Sequence, residues 1–443
     1  MKRFIISIIL IALVSVGYVF YVEYTKQEEE IPIAIELEKT EISQYYIYGT
    51  HLNMKGSLTV DNLEFDSFDL VLYNKDIKNT KEDKEQGIDN RFTVIELNYN
   101  QEVDTVSFYL SDLINDGIYL DNIDNGEYNL FIRTASKVID EKDNETIVYK
   151  YYCLDNTTDY KETIYYTMSK YDKKITINSD NEYSTMMFNV IDNNDSEIYD
   201  IVLDAGHGGI DPGAVANGTK ETDFTLNMAK ELKEKLENEG FTVKLTRDDD
   251  TLASDEWFDE YGKGGRSQIS HEVYAKYLIS IHLNSSISSS VNGIELYTAA
   301  NINYDLATSI VDEIVNSTDI DYSNQKTYKM YNGVYTHNFT EYDISKSMIE
   351  YDKKGYIPYD VTTNSNYLYM IRETGGIMTG AYVDDRNQEK QEANEYYNSN
   401  VGTESYLLEV CYLSNVNDLE TIREQQSDYL NAITRVLKEK LDT

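Results

Sequence analysis

Four side chains in the second half of this 443-residue chain have types and settings that chemistry can use. His207 lies in Asp204-Ala-Gly-His-Gly-Gly209, and Glu221 follows 221 − 207 = 14 positions later at the start of a helical pattern. His282 closes an apolar run in Ser280-Ile-His-Leu-Asn284, and Glu409 sits inside another, Leu407-Leu-Glu-Val410. Two imidazoles and one carboxylate form a set that catalytic zinc uses, with the fourth position left for water. The glycines around His207 let backbone approach an ion closely. Taken singly, His207 also fits a structural role, and Glu221 an early-helix charge favoured by the helix dipole. Glu409 is harder to explain without function, because a carboxylate in an apolar strand is costly unless paired or metal-bound. His271-Glu272 invites comparison with the His-Glu-x-x-His zinc helix, but position 275 is alanine and that reading fails.

The elements that must position these groups alternate. Ile198 to Leu203 reads as a buried strand, followed by the glycine-rich loop and a helix from about Thr222 to Glu239 with a stripe of Phe224, Leu226, Ala229, Leu232 and Leu236. Gly240 supplies its stop. Further strands are expected at Phe241 to Thr246, Tyr277 to Ile281, Gly293 to Tyr297, Tyr367 to Arg372 and Ser405 to Val410. Helices are expected around Ser267 to Lys276, Tyr304 to Val315 and Gln426 to Leu441. This order predicts an α/β domain over 198–443 with a mixed, mostly parallel sheet and flanking helices. In such sheets active sites gather beyond the carboxyl ends of strands, where all four residues can meet.

At this point the pattern becomes specific. Ile201-Val-Leu-Asp-Ala-Gly-His-Gly-Gly-Ile-Asp-Pro-Gly213, Lys220-Glu221, Leu245-Thr-Arg-Asp248, Ile279-Ser-Ile-His-Leu-Asn284, Gly293-Ile-Glu-Leu-Tyr297 and Leu407-Leu-Glu-Val-Cys-Tyr-Leu-Ser-Asn415 occur in that order. Together they resemble the zinc-dependent N-acetylmuramoyl-L-alanine amidases of the type-3 family of bacterial cell-wall hydrolases, from about residue 199 to 441. The resemblance implies that His207, Glu221 and His282 hold Zn2+ and that Glu409 is the catalytic carboxylate. It gives Arg266 a structural place. The implied reaction is hydrolysis of the amide between the lactyl group of N-acetylmuramic acid and L-alanine by zinc-activated water, with Glu409 as general base. Asp204 and Asn284 are candidates for orienting the ligands. The alternatives are a zinc peptidase or deacylase with the same site, and a non-catalytic wall-binding scaffold. Two stretches, Tyr322 to Asn366 and Gly375 to Thr403, are longer than the compact domain needs. In some similar amidases a segment of the second region covers the zinc until a protein partner removes it, so a regulator of unknown identity is an open expectation here.

Before residue 198 the period is different. Phe68 to Tyr73, Phe92 to Tyr99, Val103 to Leu110, Glu127 to Thr134 and Thr146 to Cys153 read as strands without helices between them. They predict an all-β, sandwich-like domain over 41–190, with Asn125-Gly126 as a turn. Its one histidine, His51, reads as structural. Residues 25–40 read as a charged linker. Lys2 and Arg3 precede an uncharged run from Phe4 to Val22, and acidic residues follow it. As a helix that run of 19 residues would reach ~28 Å, enough for a bilayer core. A signal-anchor over 1–24 is therefore expected, with the rest of the chain outside the cell membrane. The competing reading is a cleaved signal peptide and a secreted protein.

Composition sets outer limits. A net charge of −40 repels nucleic acid and offers no electrostatic hold on anionic lipid or wall polymer. The 41 tyrosines could stack on sugars, but with abundant Asn, Asp, Ile and Lys they also read as the bias of an AT-rich genome. Two cysteines, Cys153 and Cys411, in different domains, give no disulfide framework and no cysteine metal site. The expected partners are the peptidoglycan substrate and, through the N-terminal helix, the membrane.

Overall fold

In the computed structural model the described residues are 39–59, 65–86, 88–102, 104–110, 117–139, 145–155, 163–180, 183–194, 196–251, 266–354, 361–379 and 401–441. The expected membrane anchor and nearly all of the linker lie outside them. Among the described residues no helix is long and apolar enough to cross a membrane.

Among the described residues the first region is all β apart from a short helix, α1 (Lys81–Gln86), and a 3-10 turn at Leu120–Asn122. Its strands are β1 (Lys39–Tyr48), β2 (His51–Thr59), β3 (Ser67–Tyr73), β4 (Phe92–Glu96), β5 (Asn98–Gln101), β6 (Thr105–Tyr109) and β7 (Ile118–Tyr119). They continue with β8 (Gly126–Ile139), β9 (Glu145–Asp155), β10 (Thr163–Tyr166), β11 (Lys173–Ser179) and β12 (Met186–Asp192). The run expected as one strand from Phe92 to Tyr99 is broken at Leu97, whose side chain turns into the core. Where two stacked sheets are expected, the strands form one branched sheet. The reason is that long strands change partners: one edge of β8 pairs with β12 near its start and with β9 further along, while β3 runs along its other edge. The core within it runs from Ile42 and Leu52 to Phe188 and Val190.

The second region is a mixed α/β layer structure. Its seven-stranded sheet has the order β16-β13-β17-β22-β18-β20-β19. The strands are β13 (Ile201–Ala205), β16 (Val243–Leu245), β17 (Tyr277–Asn284), β18 (Glu295–Tyr297), β19 (Lys329–Tyr331), β20 (Val334–Tyr335) and β22 (Glu404–Tyr412). A small ribbon, β14 (Val215–Ala216) with β15 (Thr219–Lys220), lies outside it, and β21 (Val401–Gly402) pairs with β1. The first four strands run parallel, and β18 is antiparallel to β22. The helices are α2 (Glu221–Asn238), α3 (Ile269–Glu272), α4 (Asp305–Ser317), α5 (Glu341–Lys354), α6 (Tyr369–Thr374) and α7 (Val416–Leu441). Helix α2 buries Met228, Ala229, Leu232 and Leu236 against the sheet, close to the stripe its sequence carries.

Three local expectations are corrected. Tyr367 to Arg372, expected as a strand, contains the start of helix α6 instead. The Arg372 guanidinium donates to the carbonyls of Asn366 and Tyr367 and so folds the chain back on itself. A short apolar run fits either state, and here the bonds from Arg372 to the preceding carbonyls favour the helical one. The helix expected over Ser267 to Lys276 shrinks to α3, because Tyr274 takes a left-handed φ of 56° and ends it. Helix α7 begins ten residues before the expected Gln426, with a kink at Gln425. The first long stretch, Tyr322 to Asn366, supplies β19, β20 and α5, so it extends the sheet edge. Most of the second, 380–400, lies outside the described residues.

Candidate functional site

The three central strands β13, β17 and β22 bring the chemistry together. His207 follows β13 by two residues, in a turn where His207, Gly208 and Gly209 all have positive φ (62°, 131° and 56°). For an L-residue that conformation costs on the order of 1–2 kcal/mol, so something must hold it. Two arginines do. Arg247 donates to the carbonyls of Ala205 and Gly206 at 2.8 and 3.0 Å, and Arg266 to those of Ala205 and His207 at 3.0 and 2.8 Å. The Asp204 carboxylate fixes Arg266 at 2.9 Å and itself receives Ser280 and Thr246 hydroxyls. Asp204 therefore supports the His207 turn through Arg266 and does not touch an imidazole directly.

His282 and Glu409 lie inside their strands, which run on to Asn284 and Tyr412, further than the sequence suggests. They stand opposite each other in parallel register. Glu221 is the first residue of α2, whose N-terminus faces the turn. Its Oε1 lies 3.0 Å from His207 Nε2 and 3.0 Å from His282 Nδ1, and the two nitrogens are 3.2 Å apart. This near-equilateral triangle matches one face of a tetrahedral site, since ligand bonds of ~2.0–2.1 Å put donors about 3.3 Å apart. The donor set, two imidazoles and a carboxylate, also suits zinc. The walls are cut to this shape. A Cβ at Gly206 would meet the His282 ring at 2.5 Å, and one at Gly213 would meet Glu221 Oε2 at 2.6 Å.

Each corner is oriented from behind. His207 Nδ1 donates to Asp211 at 2.7 Å, which aims Nε2 at the centre. Glu221 accepts backbone N–H groups from Leu283 and Ala214, both at 2.9 Å. Burial would raise the Glu221 pKa, but hydrogen bonds from His207 and His282 outweigh it and hold the carboxyl well below its usual range. Glu409 is the opposite case. Burial pushes its pKa well up, and the negative charges of Glu221 and Glu295 push the same way. Its Oε2 is buried with no hydrogen-bond partner. A buried carboxyl of that kind needs a cation or a proton.

Asn284 donates to Glu295, not to a histidine. Glu295 is fully buried and also receives Tyr297, Ser323 and Tyr412 hydroxyls. Sequence reasoning gave no role to Asp211, Arg247 or Glu295, although all three lie within the quoted motifs. For Asp211 a signal existed, an acid four residues after a glycine-flanked histidine. His51 is half-buried against the Tyr119 ring, and loss of solvent lowers its pKa to about 4. Both cysteines are buried and neither forms a disulfide.

Two imidazoles and a carboxylate aimed at one point, with a carboxyl beside them whose Oε2 has no hydrogen-bond partner, make a donor set on an α/β sheet that could hold one metal ion. Residues 201–379 match the family model for N-acetylmuramoyl-L-alanine amidase. The match contains His207, Glu221 and His282 and stops short of Glu409. The chain is 44% identical over 101 residues to the probable cell wall amidase LytH of Staphylococcus aureus, covering 22% of this chain and 30% of that one. It thus spans about 30% of the length of the curated relatives it matches. Among solved structures, the amidase AmiC2 of Nostoc punctiforme aligns at 24% identity and a TM-score of 0.37, over 56% of this chain and all of that one. The catalytic domain of the amidase CwlV from Bacillus (Paenibacillus) polymyxa aligns at 23% and 0.36, over 55% of this chain and 99% of that one.

Proposed function

We propose that this chain is a peptidoglycan hydrolase that cuts the amide between the lactyl group of N-acetylmuramic acid and L-alanine. His207, Glu221 and His282 hold a zinc ion, and Glu409 is the general base. The observation that carries the reading is the pairing of an evenly spaced donor triangle with Glu409, in register with one of its members. Zinc held there supplies Lewis acidity that lowers the pKa of a water towards ~7 and polarises the scissile carbonyl. Glu409 Oε2 takes the proton from the attacking water and passes it to the departing alanine nitrogen. Asp211 keeps His207 in the tautomer that presents a free Nε2. Glu221, anchored by two backbone N–H groups, keeps its carboxylate at the third corner. The products are a glycan strand bearing lactyl carboxylates and a free stem peptide.

The substrate lies outside the cytoplasm, which agrees with the apolar run Phe4 to Val22 acting as an anchor that leaves the enzyme outside the membrane. A scaffold without activity is the weaker reading, because such a protein has no need of a complete donor set with an unpaired carboxyl beside it. Purified full-length protein loaded with zinc should release stem peptides from intact sacculi, read by mass spectrometry of the soluble products. Cleavage between stem-peptide residues, with the lactyl amide left whole, would replace this reading with a peptidase.

A further inference from the structure

The three strands that carry the candidate site are gripped at their opposite ends by the N-terminal sheet. At the start of β13, Asp200 is buried and its carboxylate accepts the Ser169 backbone N–H at 2.6 Å and the Ser169 hydroxyl at 2.5 Å. At the start of β17, the buried ammonium of Lys276 sits 4.0 Å from the centre of the Tyr165 ring, whose hydroxyl donates to Asp121 at 3.0 Å. At the start of β22, the Tyr48 hydroxyl accepts the Ser405 backbone N–H at 3.1 Å. Ser169, Tyr165, Asp121 and Tyr48 all belong to the first region; Asp200, Lys276 and Ser405 belong to the second.

The junction is built as core. Tyr46, Tyr48 and Met168 are buried within the apolar cluster of the α/β region. β1 pairs in parallel with β21, two residues before β22, and the Gly49 N–H donates to the Gly402 carbonyl at 2.8 Å. Gly49 has a φ of 59°, and a Cβ there would meet Glu404 Oε2 at 2.9 Å, so the turn after β1 abuts the catalytic strand as closely as a backbone can. Lys276 is a buried cation whose aromatic face, Tyr165, and one of its two counter-charges, Asp121, come from the other region, the second being Asp200 of its own. Burying it is costly unless those partners are in place.

We propose that the N-terminal sheet is a positioning part of the active site, in which Ser169, Tyr165 and Tyr48 seat the starts of β13, β17 and β22 so that their far ends present His207, His282 and Glu409 in mutual register. The distances are short. Glu409 is four residues beyond Ser405, ~13 Å along a strand. A shift of one strand start is passed along a stiff, hydrogen-bonded element to a group whose placement to within ~1 Å sets the rate. Tyr48 is the sharpest member, because it is the one side chain here that bonds the backbone of the strand bearing Glu409. This role rests on the amidase reading for its effect on rate, while the mechanical coupling stands apart from it.

The test uses full-length Tyr48→Phe, which keeps the ring and removes the acceptor. Its kcat on sacculi should fall about tenfold, with KM within about twofold and zinc content unchanged, a loss in the range expected for a slightly misplaced catalytic group. Amide exchange of Leu407 to Val410 should speed up. Ser169→Ala, a milder change, should move both readouts the same way by less. The control is Val190→Ala, which lowers stability from within the N-terminal core without removing a hydrogen bond or ion pair of the junction, and should leave kcat alone. The proposal is overturned if Tyr48→Phe keeps wild-type kcat and wild-type exchange in β22, or if Val190→Ala lowers kcat as much. If Tyr48→Phe does not fold, Ser169→Ala against Val190→Ala decides on the same terms. If wild-type protein proves inactive on sacculi, the amidase reading falls, and exchange in β22 alone decides the positioning.

Discussion

Two carboxylates in interior strands separate the two halves of this molecule. In β3 of the N-terminal sheet, Asp69 stands opposite Arg133 of β8, which donates to it at 2.8 and 3.1 Å. In β22 of the α/β region, Glu409 stands between His282 on one side and Glu295 on the other. The first carboxylate meets a cation and is satisfied by the fold. The second meets an imidazole already committed to Glu221 and a like charge whose own hydrogen bonds are full. The sheets supply the same backbone logic, and only the register partner differs. A buried charge answered by its neighbours is architecture, whereas one left unanswered marks where a cation or a substrate belongs.

The comparison breaks most decisively at the metal corner. His282→Ala should lose both zinc and activity, read by metal analysis of the purified protein beside a sacculus digest. Full zinc occupancy in that variant would mean that the triangle is not a metal site and that Glu409 needs another explanation. Next in size is Glu409→Gln, which keeps the shape and removes the base. Turnover should drop at least ~100-fold, the scale of lost general-base catalysis, while zinc content stays near wild type. A variant that still cleaves at close to the wild-type rate would make Glu409 as architectural as Asp69.

The satisfied carboxylate gives the opposite expectation. Arg133→Met leaves Asp69 buried with only the Ser67 hydroxyl as a side-chain donor, and also removes the cation from the Tyr149 ring. Stability should fall by about 2–3 kcal/mol, as when one partner of a mostly buried pair is removed. Chemical denaturation measures this, and kcat per folded molecule should not change. A large loss of kcat with stability intact would erase the distinction between the two regions.

How much of this was legible beforehand follows the same division. Alternation of apolar runs with helical stripes gave the α/β order, and glycine-flanked His207, Glu221, His282 and Glu409 stand out by type and setting, while the roles expected of them rest on the family resemblance. Their supports could not. Asp211 reads as one more polar turn residue, and Arg247 as one more surface cation, until the positive-φ turn at His207 shows what must be held. Glu295 looked like part of a short strand. The pairing of β1 with β21 joins Tyr48 to Gly402, more than 350 positions apart, and no periodicity carries such information. For the same reason two stacked sheets were expected where partner-switching strands make one. Tyr367 to Arg372 differs for a more local reason, the Arg372 bonds to preceding carbonyls, which a short apolar pattern does not reveal.

The smallest expected effect tests the comparison within a single strand. Glu404 lies five residues before Glu409 in β22, and burial raises its pKa from the usual carboxyl range to about 7, with the Tyr406 hydroxyl partly offsetting this. Among the described residues no cation answers it, yet it lies at the junction with the N-terminal sheet and not beside His207, Glu221 and His282. The answer open to it is to keep its proton. In the folded state Glu404 then holds a proton between about pH 4.5 and 7, where the unfolded chain has released it. The folded state binds more protons across that window, so stability contributed at this position is intact below it and declines as pH rises through it. Glu404→Gln is neutral at every pH, and its side-chain carbonyl can still accept the Tyr406 hydroxyl. Wild type and variant should therefore unfold alike near pH 4, and the variant should be the more stable at pH 8, on the order of 1–2 kcal/mol after allowance for partial solvent access. Asp121, which burial raises to about 6, contributes to both proteins alike and cancels when they are compared at the same pH. Urea denaturation at the two pH values measures the difference. A variant less stable than wild type at pH 8 would mean that Glu404 is ionised and answered by a partner in the junction, and that the strand carries two working charges instead of one.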